Sequence, residues 1–260
     1  MPLPWRLTAP SWALLAELLA IERYPSPIEV RSAERTTQQR SQARNRARRD
    51  LETAGLLRAG RVDADLEHAL RLLRRPALWV DSVWLPDAAT DQPVRVIAAR
   101  SGHGGVCATQ HPSEPGATLL ETIPATGLAA AVVARLPPQR PGGQPPVTLA
   151  VDNRPARDET GSVLVPADRH ADNALRDRDT VATVLDHPHP RAGQIAANLR
   201  DTGGTTRRSP VLRWCDNEGD GRYQTTVYRH AGQQWLSVRP ADPTSIGDGV
   251  QRLLASLTGR

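Results

Sequence analysis

The chain predicts an α+β fold organised around a central, mainly antiparallel sheet, and three observations carry that prediction. A strand-rich pattern led by tryptophan occurs twice, as ALWVDSVWLPDAATDQPVRVIAARSGHGGVCATQ from Ala77 to Gln110 and as VLRWCDNEGDGRYQTTVYRHAGQQWLSVRP from Val211 to Pro240. Within each copy the hydrophobic runs are separated by short Asp- or Gly-bearing turns, which connect antiparallel neighbours and leave no room for crossover helices. Segments with helical periodicity lie before and after each copy, so the unit reads helix–βββ(β)–helix and repeats with pseudo-twofold character.

The elements follow in order. Leu14, Leu15, Leu18, Leu19 and Ile21 give a first helix over Ser11 to Glu22, broken by Tyr24-Pro25-Ser26-Pro27. A second, arginine-rich helix is expected over Ser32 to Thr53, ending at Gly55. The third runs from Asp63 to Arg74, with Leu66, Ala69, Leu70 and Leu73 on one face and Asp63 placed to accept from free N–H groups. Strands follow at Ala77 to Leu85, Val94 to Ser101, Gly105 to Gln110 and Ala117 to Thr122, then a helix at Thr126 to Leu136. PPQRPGGQPP, residues 137–146, reads as a connection without regular structure, dividing one domain into halves of about 1–136 and 147–260. Beyond it, VTLAV at 147–151 and SVLVP at 162–166 read as short strands. The stretch from Asp168 to Asp201 reads as two helical pieces interrupted at 187–193, and Pro243 to Leu257 as the closing helix.

Composition narrows the classes of function. At 260 residues, 39% hydrophobic and a mean hydropathy of −0.46, the chain can bury a substantial core. No run reaches the roughly 18 to 20 apolar residues of a membrane span, and the N-terminal apolar stretch is interrupted by Glu17, unlike a signal peptide. With two cysteines, Cys107 and Cys215, a disulfide framework is not expected, and a cytoplasmic location follows. All 33 basic residues are arginine and phenylalanine is absent, a bias that a G+C-rich genome produces. The net charge of +5 is therefore weak evidence for nucleic acid.

Candidate chemical sites are few. Arg31, Arg35, Arg40, Arg44, Arg46, Arg48 and Arg49 make the sharpest charge feature, with Arg40, Arg44 and Arg48 on one helix face. No aromatic residue lies among them for base stacking, so a solvated face is the plainer reading. His103, Cys107 and His111 are spaced by four on predicted strand and turn, about 13 Å apart per step, too far for shared metal coordination. His187 and His189 fall in a Pro-rich loop. No phosphate loop, nucleophile elbow or HExxH pattern occurs, so neither cofactor nor metal is expected and no enzyme activity is predicted. Trp79 and Trp84 have odd spacing on one strand and should point to opposite faces; Trp214 and Trp235 are expected at corresponding places in the second copy.

ETAGLLRAGRVDADLEHALRLLRRPALWVDSVW with RVIAARSGHGGVCA, and later SPVLRW with GRYQTTVYRHAGQQWLSVRPADPTSIGDGVQRLLASL, resembles the EspG proteins of actinobacterial ESX (type VII) secretion over nearly the whole chain. The resemblance implies a central sheet flanked by two helical bundles, with pseudo-twofold symmetry. It implies a cytosolic chaperone that binds the helical tip of the PPE subunit in PE–PPE heterodimers, keeps it soluble and directs it to the secretion machinery. The family's use of its sheet, loops and C-terminal helical region places the partner contacts at Asp87, Asp91 and Gln92 in the first hairpin, Arg222, Tyr223 and Thr225 on the GRY strand, and Trp235 and Ile246. A concave apolar strip with a polar rim is expected, on a monomer or weak dimer. The alternatives are an arginine-rich nucleic-acid binder, whose affinity would fall steeply with salt, and a small-molecule enzyme, which needs a deep pocket with converging polar groups.

Overall fold

A computed structural model describes residues 4–30, 35–151 and 169–259. Strand β1 (Trp5–Thr8) leads into helix α1 (Ala9–Leu18), whose start is capped by the Thr8 hydroxyl accepting from Ser11 N–H. Helix α2 (Thr37–Thr53) opens with a capping box between Thr36 and Gln39. A small hairpin, β2 (Leu57–Arg58) and β3 (Arg61–Val62), precedes α3 (Ala64–Arg74), which Asp63 caps as its position predicted. Then come β4 (Leu78–Leu85), β5 (Val94–Ser101), β6 (Gly104–Gln110), β7 (Ala117–Pro124) and the short helix α4 (Leu128–Val133). The second half contains β8 (Val147–Ala150), α5 (Arg169–Leu185), β9 (Arg191–Arg200), β10 (Thr206–Arg208), β11 (Leu212–Asp216), β12 (Arg222–His230), β13 (Gln233–Pro240) and α6 (Pro243–Thr258). Among the described residues, no helix is long and apolar enough to cross a membrane.

The strands form one sheet in the order β1-β7-β6-β5-β4-β9-β11-β12-β13-β8, with β10 beside β9 and every pairing antiparallel. The order is symmetric about the β4–β9 pair. Helix α3 with β4 to β7 and α4 corresponds to α5 with β9, β11, β12, β13 and α6, and edge strand β1 corresponds to β8.

This symmetry corrects three expectations. Residues 191–200, read as the second helical piece, are instead strand β9, paired along Leu78↔Leu199 to Leu85↔Ala192 at the sheet centre. Alanine favours helices locally, but a strand buried on both faces between two neighbours needs small side chains, and Ala196 and Ala197 are fully buried there. The repeat consequently begins one strand earlier in the second half. Trp214 on β11 then corresponds to β5 and Trp235 on β13 to β7, so neither matches the tryptophans of β4. Strand β1 and the start of α1 at Ala9 also precede the expected first helix, and α2 starts at Thr37. The expected strand at 162–166, together with Arg31, lies outside the described residues.

Two faces organise the packing. On one, α4 and α6 cover the centre of both halves, burying Val80, Val96, Ile195, Leu212 and Val250 in a shared core. On the other, α1, α2 and α3 cover the first half through Leu15, Leu51, Leu66 and Leu70, while α5 packs Val181 and Val184 near the far edge. Trp79 and Trp84 belong to cores on opposite faces, as their spacing predicted. Trp84 and Trp214 both lie opposite Gly193 in the register, and their ring centroids come within 5.9 Å. A Cβ at Gly193 would lie 2.4 Å from Trp84 Cβ, so only glycine lets the two rings meet.

Candidate partner-binding surface

The register identifies which part of the sheet stays open. Arg95, Val83, Gln194, Arg213 and Thr225 are consecutive cross-strand partners on β5, β4, β9, β11 and β12, and so share one face. It is the face of Ile97 and Trp79, carrying α1–α3 on one side and α5 on the other. Between those helices Gln194 and Arg213 are exposed although they stand on central strands, and Val83 is half-buried. Arg95 donates to Glu29 at 3.0 Å at one margin, and Thr225 is 8% exposed at the other. Further along β4, Asp81 accepts from Asn198 Nδ2 at 2.6 Å and from both terminal nitrogens of Arg208, at 2.7 and 2.9 Å. The open strip is thus polar and partly charged, where an apolar one was expected. The sequence conceals its residues because β9 reads as helix. The period-two alternation of Gln194, Asn198 and Arg200 against Ile195, Ala197 and Leu199 is the signal that could have revealed them.

The β4–β5 connection stands at the end of this strip. Asp87 is exposed but turned back on its own loop: Oδ1 accepts from Ala89 N–H at 2.8 Å, and Ala88 N–H donates to the Pro190 carbonyl at 2.9 Å. Asp91 and Gln92 are exposed and line a cavity of about 360 Å³ with Val30, His111 and Trp12. The hairpin residues thus remain available to a partner.

The second-half choices lie elsewhere. Arg222 is fully buried; its Nε and Nη2 donate to Asp216 at 2.6 and 3.0 Å, and its guanidinium lies 4.4 Å from the Trp214 ring centroid. Arg191 joins the same carboxylate at 2.8 Å. Tyr223 is fully buried as well, donating to Asp220 and accepting from Gln144 N–H at 2.9 Å. Burial, followed by the bond to Asp220, pushes its phenol up to about 12, while the Asp220 carboxyl is held low by that phenol and by Gly143 N–H. These bonds fasten the 137–146 connection as a strap. Arg140 donates to the carbonyls of Gly219 and Asp220, and a Cβ on Gly142 would lie 2.0 Å from the Tyr223 ring. Ile246 is 0% exposed in the α6 core. Trp235 is half-buried opposite Tyr228, on the face of Gln224 and α6, away from the open strip. Arg222, Tyr223 and Ile246 therefore hold the fold and present no side chain to a partner. The GRY strand reads as surface by composition, but the Asp216 carboxylate on β11 turns its arginine inward.

The arginine helix is partly neutralised. Arg44 grips Glu17 on α1 at 2.7 and 3.1 Å, and Arg48 stands 4.0 Å from Glu52. Cys107 and Cys215 are buried and free, and burial pushes both thiols up to about 11. Among the described residues no cluster of three metal-ligating side chains occurs.

The sequence profile of the EspG family matches residues 8–252. The chain belongs to the EspG family. No curated protein matches its sequence. Among solved structures, the chain is similar in fold to EspG5 of Mycobacterium tuberculosis, a type VII secretion system chaperone determined in complex with a PE25–PPE41 dimer. The match has a TM-score of 0.69 at 16% identity and covers 97% of this chain and 96% of that one. The EspG architecture therefore extends through both halves of the chain.

Proposed function

We propose that this EspG-family chain is a cytoplasmic chaperone of type VII secretion that binds the helical tip of a PPE-like subunit, as part of a PE–PPE heterodimer, and delivers it to the secretion machinery. It acts by binding, without covalent chemistry or a cofactor, as one domain made of two halves, monomeric or weakly dimeric. The observation that carries this reading is the open strip of β4, β9 and β11. Three strands at about 4.8 Å spacing span about 10 Å between the outer two, close to the diameter of one α-helix. Gln194 and Arg213 offer hydrogen bonds and charge across it, Val83 offers apolar contact, and Asp91 and Gln92 flank its end. Such a surface selects its partner by polar complementarity and gains affinity from the apolar tip of the client.

Co-expression with a PPE-like protein and its PE partner, followed by co-purification, tests the reading. The wild type captures the pair. Gln194→Glu/Arg213→Glu loses capture while its melting temperature stays unchanged, because both side chains are exposed. Capture that is undiminished in this variant would remove the strip from the interface, and no capture by the wild type would overturn the client assignment.

A further inference from the structure

A second cavity, of about 400 Å³, is lined by Glu22, Arg23, Arg71, Arg74, Arg75 and Arg200. Its arginines come from three separate places: the chain just after α1, the last turn of α3 and its cap, and the end of β9. The negative end of the α3 dipole accounts for cations in that helix's last turn. It does not account for Arg23 and Arg200, which other segments bring to the same space. Nor are these charges used up internally. Arg71 pairs with Glu67 at 2.7 Å, and Arg200 donates to the Pro76 carbonyl at 3.1 Å while lying 5.3 Å from the Trp79 ring centroid. Arg23, Arg74 and Arg75 make no side-chain hydrogen bond or ion pair among the described residues, and Glu22 is the one acid lining the cavity. Arginines spaced three and four apart on a helix repel one another, and five arginines against Glu22, with Glu67 pairing only Arg71, leave the cavity lining with net positive charge.

We propose that this cavity is a binding site for a compact polyvalent phosphate anion, of the size of a di- or triphosphate. A single carboxylate brings one charge and two acceptor oxygens. A polyphosphate brings several of each within a few ångströms and matches guanidinium forks bidentately. No aromatic side chain lines the cavity to stack a base, so the phosphates alone are recognised. Occupancy would tie α1, α3 and the end of β9 together, linking the first helical group to a strand of the second half. The site lies at the opposite end of β9 from Gln194, and its occupancy needs no client.

Calorimetric titration of the full chain with inorganic tripolyphosphate at fixed ionic strength tests the proposal, with melting temperature as a second readout. Wild type binds one equivalent and its melting temperature rises. Arg74→Gln/Arg75→Gln, and separately Arg23→Gln from the other segment, each bind roughly tenfold or more weakly, because every arginine replaced takes away about one charge-assisted hydrogen bond. Their unliganded melting temperatures match wild type because the substituted side chains are exposed. Tripolyphosphate binding to wild type and variants alike overturns the site. A wild type that ignores tripolyphosphate but binds a polyglutamate peptide overturns the phosphate assignment in favour of an acidic protein segment.

Discussion

The two halves share a topology but not a chemistry. The first is held by apolar packing: α1, α2 and α3 bury Leu14, Leu15, Leu51, Leu66, Leu70 and Leu73 against the sheet in one continuous core. The corresponding face of the second half has a much smaller apolar cluster around Val181, Val184, Tyr223 and Val238 among the described residues. On its opposite face, beside Trp214, the second half buries Asp216 with Arg222 and the neighbouring Arg191, and its polar interior is completed by Asn217 and the strap bonded to Tyr223 and Asp220. Symmetry of strands therefore does not enforce symmetry of cores. A buried ion pair contributes little relative to apolar packing but costs much when one partner is lost. The second half should be the more brittle to single polar changes.

The largest effect tests that asymmetry directly. Asp216→Ala leaves Arg222 buried without its carboxylate and should cost about 3–5 kcal/mol by denaturant titration. Leu70→Ala in the first half removes buried methyl groups and should cost about 2–5 kcal/mol. The comparison breaks if Asp216→Ala costs less than about 1 kcal/mol, the scale of an exposed pair. Gly193→Ala probes the seam between the halves. Its new Cβ meets Trp84 and Trp214, so a loss of about 1–3 kcal/mol from overpacking is expected, together with a change in tryptophan fluorescence. An unchanged melting curve would show that the two rings are free to part.

The smallest change concerns the strap. Tyr223→Phe removes one phenol hydroxyl and should cost about 1 kcal/mol while speeding amide exchange at Gly143 and Gln144. Its pH dependence has two sides. The Asp220 carboxyl is held below its ordinary range, so its contribution is present above the ordinary carboxylate pKa and is lost as pH falls through the lowered value. The Tyr223 phenol is raised to about 12, so its contribution is whole below the ordinary tyrosine value of about 10 and is lost as pH rises from there through about 12. A phenolate absorbance step near 12 that persists in Tyr223→Phe would assign that step elsewhere.

Local signals went far in this chain. The cap of α3, the hairpin strands β4, β5, β6, β11, β12 and β13, and the opposite facing of Trp79 and Trp84 were all written in side-chain periodicity and turn residues. So was the exposure of Asp91 and Gln92, because a polar hairpin connection has no neighbour to bury it. Strand β9, the burial of Arg222 and Tyr223, and the open strip were decided by the tertiary structure. Whether Ala196 and Ala197 sit in a helix or a strand depends on β4 and β11 coming alongside. Whether Arg222 faces water or Asp216 depends on a register between strands. A sequence states what each residue favours alone; contacts between residues far apart in the chain determine which preference prevails, and here they also determine which stretch of sheet is left open for a partner.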